Sequence, residues 1–136
     1  MTQTTLRGSC LCGEVRFTVT GEARRFYHCH CRRCRKASGT GHVSNLFVKG
    51  GLDFQSGEDR VKSFRVPDAE RFTNSFCGNC GGRVPRLLAD LGVVHIPAGS
   101  LDDEPPIAPQ ARIFHGSRAA WSCAGDDLPT FDEYPE

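Results

Sequence analysis

Seven of the eight cysteines in this sequence fall in three short groups. Cys10 and Cys12 sit in "GSCLCGEVRF", Cys29, Cys31 and Cys34 in "CHCRRCRKASG", and Cys77 and Cys80 in "FCGNCGGR". No other feature restricts the fold as strongly, because groups far apart in the chain must meet if they share an ion. The segment Met1 to Arg7 is polar and lacks the apolar stretch of a secretory signal. No apolar run approaches the ~18 residues of a membrane span. The expected location is cytoplasmic, away from membranes. In a reducing compartment, closely spaced cysteines read as metal ligands or redox thiols rather than disulfides.

The length of 136 residues suits one domain over residues 1–136. The formal charge of +1 counts every thiol as neutral. Seven thiolates on two divalent ions would add seven negative and four positive charges and bring it to −2. The basic residues near the cysteines then have a local use, as partners of thiolate charge. Neither value suggests a nucleic-acid binder. The one basic run is short, and its aromatic neighbours Phe26 and Tyr27 are too few for a stacking platform.

Most of the chain patterns as short strands, and the predicted class is mainly β. "EVRFTVTG" (14–21) alternates, with Val15, Phe17 and Val19 on one face. "HVSNLFVKGG" (42–51) reads as a strand closed by a Gly-Gly turn. "LDFQSGED" and "RVKSFRV" read as a hairpin about residues 56–59. "ERFTNSF", "RVPRLLA" and "GVVHIPAG" complete the set. Residues 31–37 suggest one short helical turn. "LDDEPPIAP" holds too much proline for a helix or a central strand. The acidic tail from Ala120 is expected to lie over the body, pinned by Trp121, Phe131 and Tyr134.

Cys10 and Cys12, two apart at a strand start, can aim their sulfurs at one ion. Cys77 and Cys80 form a CxxC followed by Gly81 and Gly82. These glycines tolerate positive φ and let backbone N–H groups approach the sulfurs. Two pairs supply four thiolates, enough for a closed tetrahedral zinc site. Sixty-four residues lie between Cys12 and Cys77, so such a site would tie distant parts of the sheet together. The rival for Cys77 and Cys80 is redox chemistry, but that motif belongs with a βαβ pattern absent here.

Cys29, Cys31 and Cys34 can also reach one ion, and they are only three. Structural zinc is usually closed by four protein ligands, whereas catalytic zinc keeps an open position. The count favours an open site unless Cys123 or one of His28, His30, His42, His95 and His115 completes it. Zinc with three thiolates is soft and carries net −1, which suits a thiol as the fourth ligand. The expected substrate is a thiol or a thiol adduct. Arg32, Arg33, Arg35 and Lys36 either offset the charge and receive carboxylates or form a solvated basic turn.

Together these motifs resemble the glutathione-dependent formaldehyde-activating (GFA) enzyme family, also called the centromere-protein-V/GFA domain. The residues are "CLCGEVRF", "CHCRRCRKASG", "FCGNCGG", "GSLDDEP", and Trp121 with the later "LPTF", in the family's order. The resemblance implies a β-rich fold related to a zinc-binding chaperone of Rab GTPases, with zinc knuckles at its sheet edges. It implies two zinc ions: a structural one on Cys10, Cys12, Cys77 and Cys80, and a catalytic one on Cys29, Cys31 and Cys34. The implied activity is a carbon–sulfur lyase reaction that joins formaldehyde and glutathione as S-(hydroxymethyl)glutathione. Arg35, Lys36, His42, Ser44 and Asn45 are the candidate substrate contacts. The alternative is a non-catalytic zinc module that binds a protein or a small thiol metabolite.

Overall fold

The computed structural model describes residues 3–122 and 127–135. Two long strands organise it: β2 (Arg16–Cys29) and β3 (Val43–Ser56), each of 14 residues and paired antiparallel along their whole length. β1 (Thr4–Ser9) pairs with the first half of β2, and β8 (Ala111–Ile113) runs parallel to its last residues. β7 (Val93–Pro97) lies beside β3, and β6 (Arg86–Leu88) beside β7. A separate two-stranded sheet joins β4 (Val61–Arg65) to β5 (Thr73–Cys77). One helix, α1 (Arg32–Ser38), connects β2 to β3. The class is mainly β, as the alternating patterns predict.

β2 continues eight residues beyond Gly21, through charged positions that carry no alternating pattern. A bulge makes this extension possible. Ala23 faces Val48 and Arg25 faces Phe47, so Arg24 is an extra residue in the ladder. Side chains alternate strictly along a strand, so one extra residue exchanges the two faces beyond it. Before the bulge, Phe17 and Val19 enter the main core. After it, Phe26 enters the core with Leu46, Val48, Val94 and Ile96. Cys29 consequently lies on the opposite face, packed with Cys34 and Val43.

Two expected turns are absent. The chain does not reverse at Gly50-Gly51; β3 runs through both residues. Gly50 is paired with Gly21, and the strands pass so closely that a Cβ on Gly50 would lie 2.0 Å from the Thr20 carbonyl oxygen. Gly50 and Gly21 serve a close backbone approach, the other common reason for glycine inside a strand. Residues 56–59 do not close a hairpin either. Residues 52–56 stay paired with β2, and the chain leaves that sheet at Gly57 (φ 75°) to enter the β4–β5 sheet. The tail also differs from expectation. Trp121, Phe131 and Tyr134 are 66%, 54% and 83% exposed, because an acidic, proline-interrupted segment presents no continuous apolar face to the body.

The "LDD" segment edges the sheet. Asp102 and Asp103 receive hydrogen bonds from Ser9 and from the Arg7 backbone and guanidinium, and Leu101 bridges to Gly8. This fastening ends one residue before Cys10. Among the described residues no helix is long and apolar enough to cross a membrane.

The glycine pair yields a clear test. Gly50→Ala is expected to destabilise the protein by about 1–3 kcal/mol in denaturant unfolding, the usual cost of forcing atoms into a filled site. Gly51→Ala, where a Cβ meets nothing within 4 Å, should change stability by no more than ~0.5 kcal/mol.

Candidate metal centres

The first cysteine group is assembled by two tight turns. Cys10 and Cys12 lie in the loop between β1 and β2 rather than within a strand. Gly13 adopts φ 82° there, and its N–H bonds the Cys10 carbonyl. The Val15 N–H points at the Cys10 sulfur, 3.3 Å away. The second turn follows β5. Gly81 (φ 77°) returns its N–H to the Cys77 carbonyl, while the N–H groups of Asn79 and Gly82 approach the sulfurs of Cys77 and Cys80 at 3.4 Å. These N–H groups hold negative charge on sulfur: Cys80 is lowered to about 6, chiefly by the Gly82 N–H. The Asn79 side chain adds a bond to Cys12 at 3.3 Å.

The four sulfurs lie within 4.8 Å of one another, with Cys10 to Cys12 at 3.6 Å and Cys12 to Cys77 at 3.9 Å. A tetrahedral ion with metal–sulfur bonds of ~2.3 Å needs sulfurs about 3.8 Å apart. The donor set, spacing and N–H···S bonds therefore suit a soft divalent ion. No disulfide joins the described cysteines.

The second group is built around α1. Cys29 ends β2, Cys31 is the N-cap of α1, and Cys34 projects inward from its first turn. The Cys34 N–H donates to the Cys31 sulfur at 3.3 Å, so the thiol occupies the place of a capping serine. Gly39 closes the helix in the left-handed conformation and returns its N–H to the Arg35 carbonyl. The motif "CHCRRCRKASG" is thus a strand end, a cap, a short helix and a second cap. Its three sulfurs lie within 4.8 Å of one another and could hold a metal ion. Cys29 is lowered to about 6, chiefly by its bond with Cys34, and Cys34 is raised in turn.

Among the described residues no fourth ligand joins these sulfurs. Cys123 lies outside the described residues. The histidines are accounted for elsewhere. His28 shares the face of Phe26, stacks on His42 with ring centroids 4.1 Å apart, and so looks away from Cys29. His30 is fully buried between His42, His115 and Ser122. Burial first, then the neighbouring His42, lowers both His28 and His30.

Asn45 and His95 form a chain of contacts ending on sulfur. The Nε2 of His95 bonds Asn45 Oδ1 at 2.7 Å, and the Asn45 amide donates to the Cys34 sulfur at 3.8 Å. Asn45 is buried. Enclosure of the His95 ring, with Arg83 and Arg86 nearby, pushes it down to about 3. Arg83 approaches from the first group. It follows Cys80 by three residues, its Nε donates to Asn74 Oδ1 at 2.7 Å, and its Nη1 is buried with no hydrogen-bond partner. Burial disfavours its charge, and the Cys34 sulfur supports it.

The candidate substrate contacts are thus dispersed. Lys36 is exposed beside the second group. Arg35 is occupied by the Ser117 carbonyl at 3.1 Å. Asn45 serves Cys34. Ser44, its neighbour in the strand, projects to the other face and lines a hollow with Phe26 and Ile107. His42 is stacked on His28 on that same side. Arg83 was not legible as a site residue, and His95, a candidate ligand by sequence, reaches the cluster only through Asn45, because strand pairing alone brings these residues together.

Fold and sites define a class: a mainly β protein with one four-sulfur and one three-sulfur cluster among the described residues, each packed in its own small apolar group. Over residues 5–117 the sequence matches the family described as glutathione-dependent formaldehyde-activating enzyme, and the chain belongs to that family. Among solved structures, a crystal structure of a Rhodobacter sphaeroides protein, a Northeast Structural Genomics target, is similar in fold. Its TM-score is 0.53 at 16% identity, over 78% of this chain and 98% of that one. No curated protein sequence matches significantly.

Two outcomes check the Cys34 contacts. Asn45→Leu should weaken metal binding at the second cluster about 10- to 100-fold, measured by chelator competition, and leave the first cluster unchanged. The His95 ring should not titrate by NMR between pH 5 and 8. Its folded pKa of about 3 lies below the unfolded ~6.5, so the unfolded chain binds the extra proton between them. Stability contributed by neutral His95 is complete above ~6.5 and declines as pH falls toward 3, and His95→Gln should remove that slope.

Proposed function

We propose that the chain is a zinc-dependent carbon–sulfur lyase acting on thiol–aldehyde adducts, with Cys29, Cys31 and Cys34 holding the zinc at the reaction site. The observation that carries this reading is the three-sulfur cluster with no fourth ligand among the described residues. Cys10, Cys12, Cys77 and Cys80 hold the structural zinc. The family's description names glutathione and formaldehyde, whose adduct would be S-(hydroxymethyl)glutathione.

Zinc on three thiolates supplies a soft position that keeps an incoming thiol deprotonated at neutral pH. In the forward direction the substrate thiol loses its proton to solvent and its sulfur attacks the aldehyde carbon. The new C–S bond forms as the carbonyl π pair moves to oxygen, which takes a proton from water. In reverse the hydroxyl loses its proton, the C=O bond re-forms and the thiolate leaves. The chain's residues set the stage for this. Asn45, oriented by His95, holds the Cys34 sulfur, and Arg83 opposes the net negative charge of the site.

Cys31→Ser tests the reading, since serine preserves the helix cap while removing a zinc ligand. The expected result is a folded protein with one zinc instead of two and no acceleration of thiol–aldehyde exchange, followed by NMR at neutral pH. A wild type that accelerates exchange with no thiol, glutathione included, would reduce the chain to a zinc-held binding module.

A further inference from the structure

A groove of about 360 Å³ separates α1 from the β4–β5 sheet. Its walls are apolar: Ala37 on the helix side, and Phe64, Val66 and Phe72 on the other. Phe72 also packs against Cys29, Cys34 and Val43, so the floor of the groove is the outer wall of the second cysteine cluster. Phe64 is 58% exposed, an apolar surface left open to solvent.

The rim has one sign of charge. Arg32, Arg33 and Lys36 border the groove, all exposed and none in an ion pair among the described residues. Arg35, by contrast, points elsewhere to the Ser117 carbonyl. Among the described residues the groove has no acidic lining residue, and its one neutral polar side chain, Asn74, already spends its carbonyl oxygen on Arg83.

We infer that this groove binds the apolar, carboxylate-bearing body of the substrate thiol, and that it selects an amphipathic organic acid over glutathione. The inference rests on the second cysteine cluster being the reaction site. A carboxylate meets three cations at the rim, and a hydrocarbon or aromatic body covers Phe64 and Phe72. Glutathione fits less well. Its ammonium group meets no carboxylate among the described lining residues, and it is repelled by the three cations. Its peptide groups gain nothing from the apolar walls.

The test uses probes without a thiol. Metal-loaded, isotope-labelled protein is titrated with 4-phenylbutanoate, with the neutral 4-phenylbutanamide, and with glutathione, and amide NMR shifts are followed. The acid should give saturable shifts at Ala37, Phe64 and Phe72, with the amide about tenfold weaker, the usual effect of a charge-assisted hydrogen bond. Arg33→Met with Lys36→Met should abolish the difference between acid and amide, and Phe64→Ser should weaken both about tenfold. These side chains are exposed, so a dispersed spectrum verifies each variant's fold. Equal affinity for acid and amide, tighter groove binding of glutathione than of the acid, or shifts confined to other regions would overturn the inference. The probes do not react, so a groove that binds them without exchange catalysis leaves the groove assignment standing and removes the lyase reading. Catalysed exchange with no acid binding does the reverse.

Discussion

The molecule depends on the pairing of β2 with β3. This ladder carries the main core on one face, and its far end delivers Cys29, Val43 and Asn45 to the second cysteine cluster on the other. Two local irregularities allow it. The Gly21–Gly50 contact lets the backbones pass at a distance that no side chain permits. The extra residue at Arg24 then turns the end of β2 over. The helix, the parallel β8 and the β4–β5 sheet are arranged around that inverted end.

The cysteine clusters are linked through chemistry as well as chain. Arg83 belongs by sequence to the knuckle of the first cluster, yet its charge is felt by Cys34 and His95. A buried guanidinium nitrogen without a hydrogen bond is costly by itself. Beside a divalent ion held by three thiolates, the same cation would offset the excess negative charge. The knuckle thus does more than gather cysteines: it also places Arg83, which bonds Asn74 and bears electrostatically on Cys34.

Much of this was legible in the sequence where the signal is local. The grouping of the cysteines, the glycines after Cys80, the short helix after Cys31 and the alternation in "TVT" and "GVVHIP" each depend on neighbours within a few residues. The failures are equally physical. A Gly-Gly pair signals a turn or a close approach with the same letters, and only the partner strand decides between them. The hairpin at residues 56–59 has suitable turn residues, but residues 52–56 already had a partner in β2. Arg24 carries no mark of a bulge, and His95, Asn45 and Arg83 meet only through β3, β7 and the β5 turn. Alternation within β3 also separates Ser44 from Asn45, adjacent residues that a linear reading treats together.

The bulge at Arg24 has a consequence for how this segment can change in evolution. Between Gly21 and Cys29 Phe26 enters the core, but Arg24 and Arg25 are exposed and the other side chains half-buried, so most identities place little demand on the fold. Their number does. Loss or gain of one residue would restore simple alternation and carry Cys29 to the other side of the sheet, away from Cys31 and Cys34. Outside Phe26 the segment tolerates substitution better than insertion or deletion: the fold depends here on a count more than on a composition.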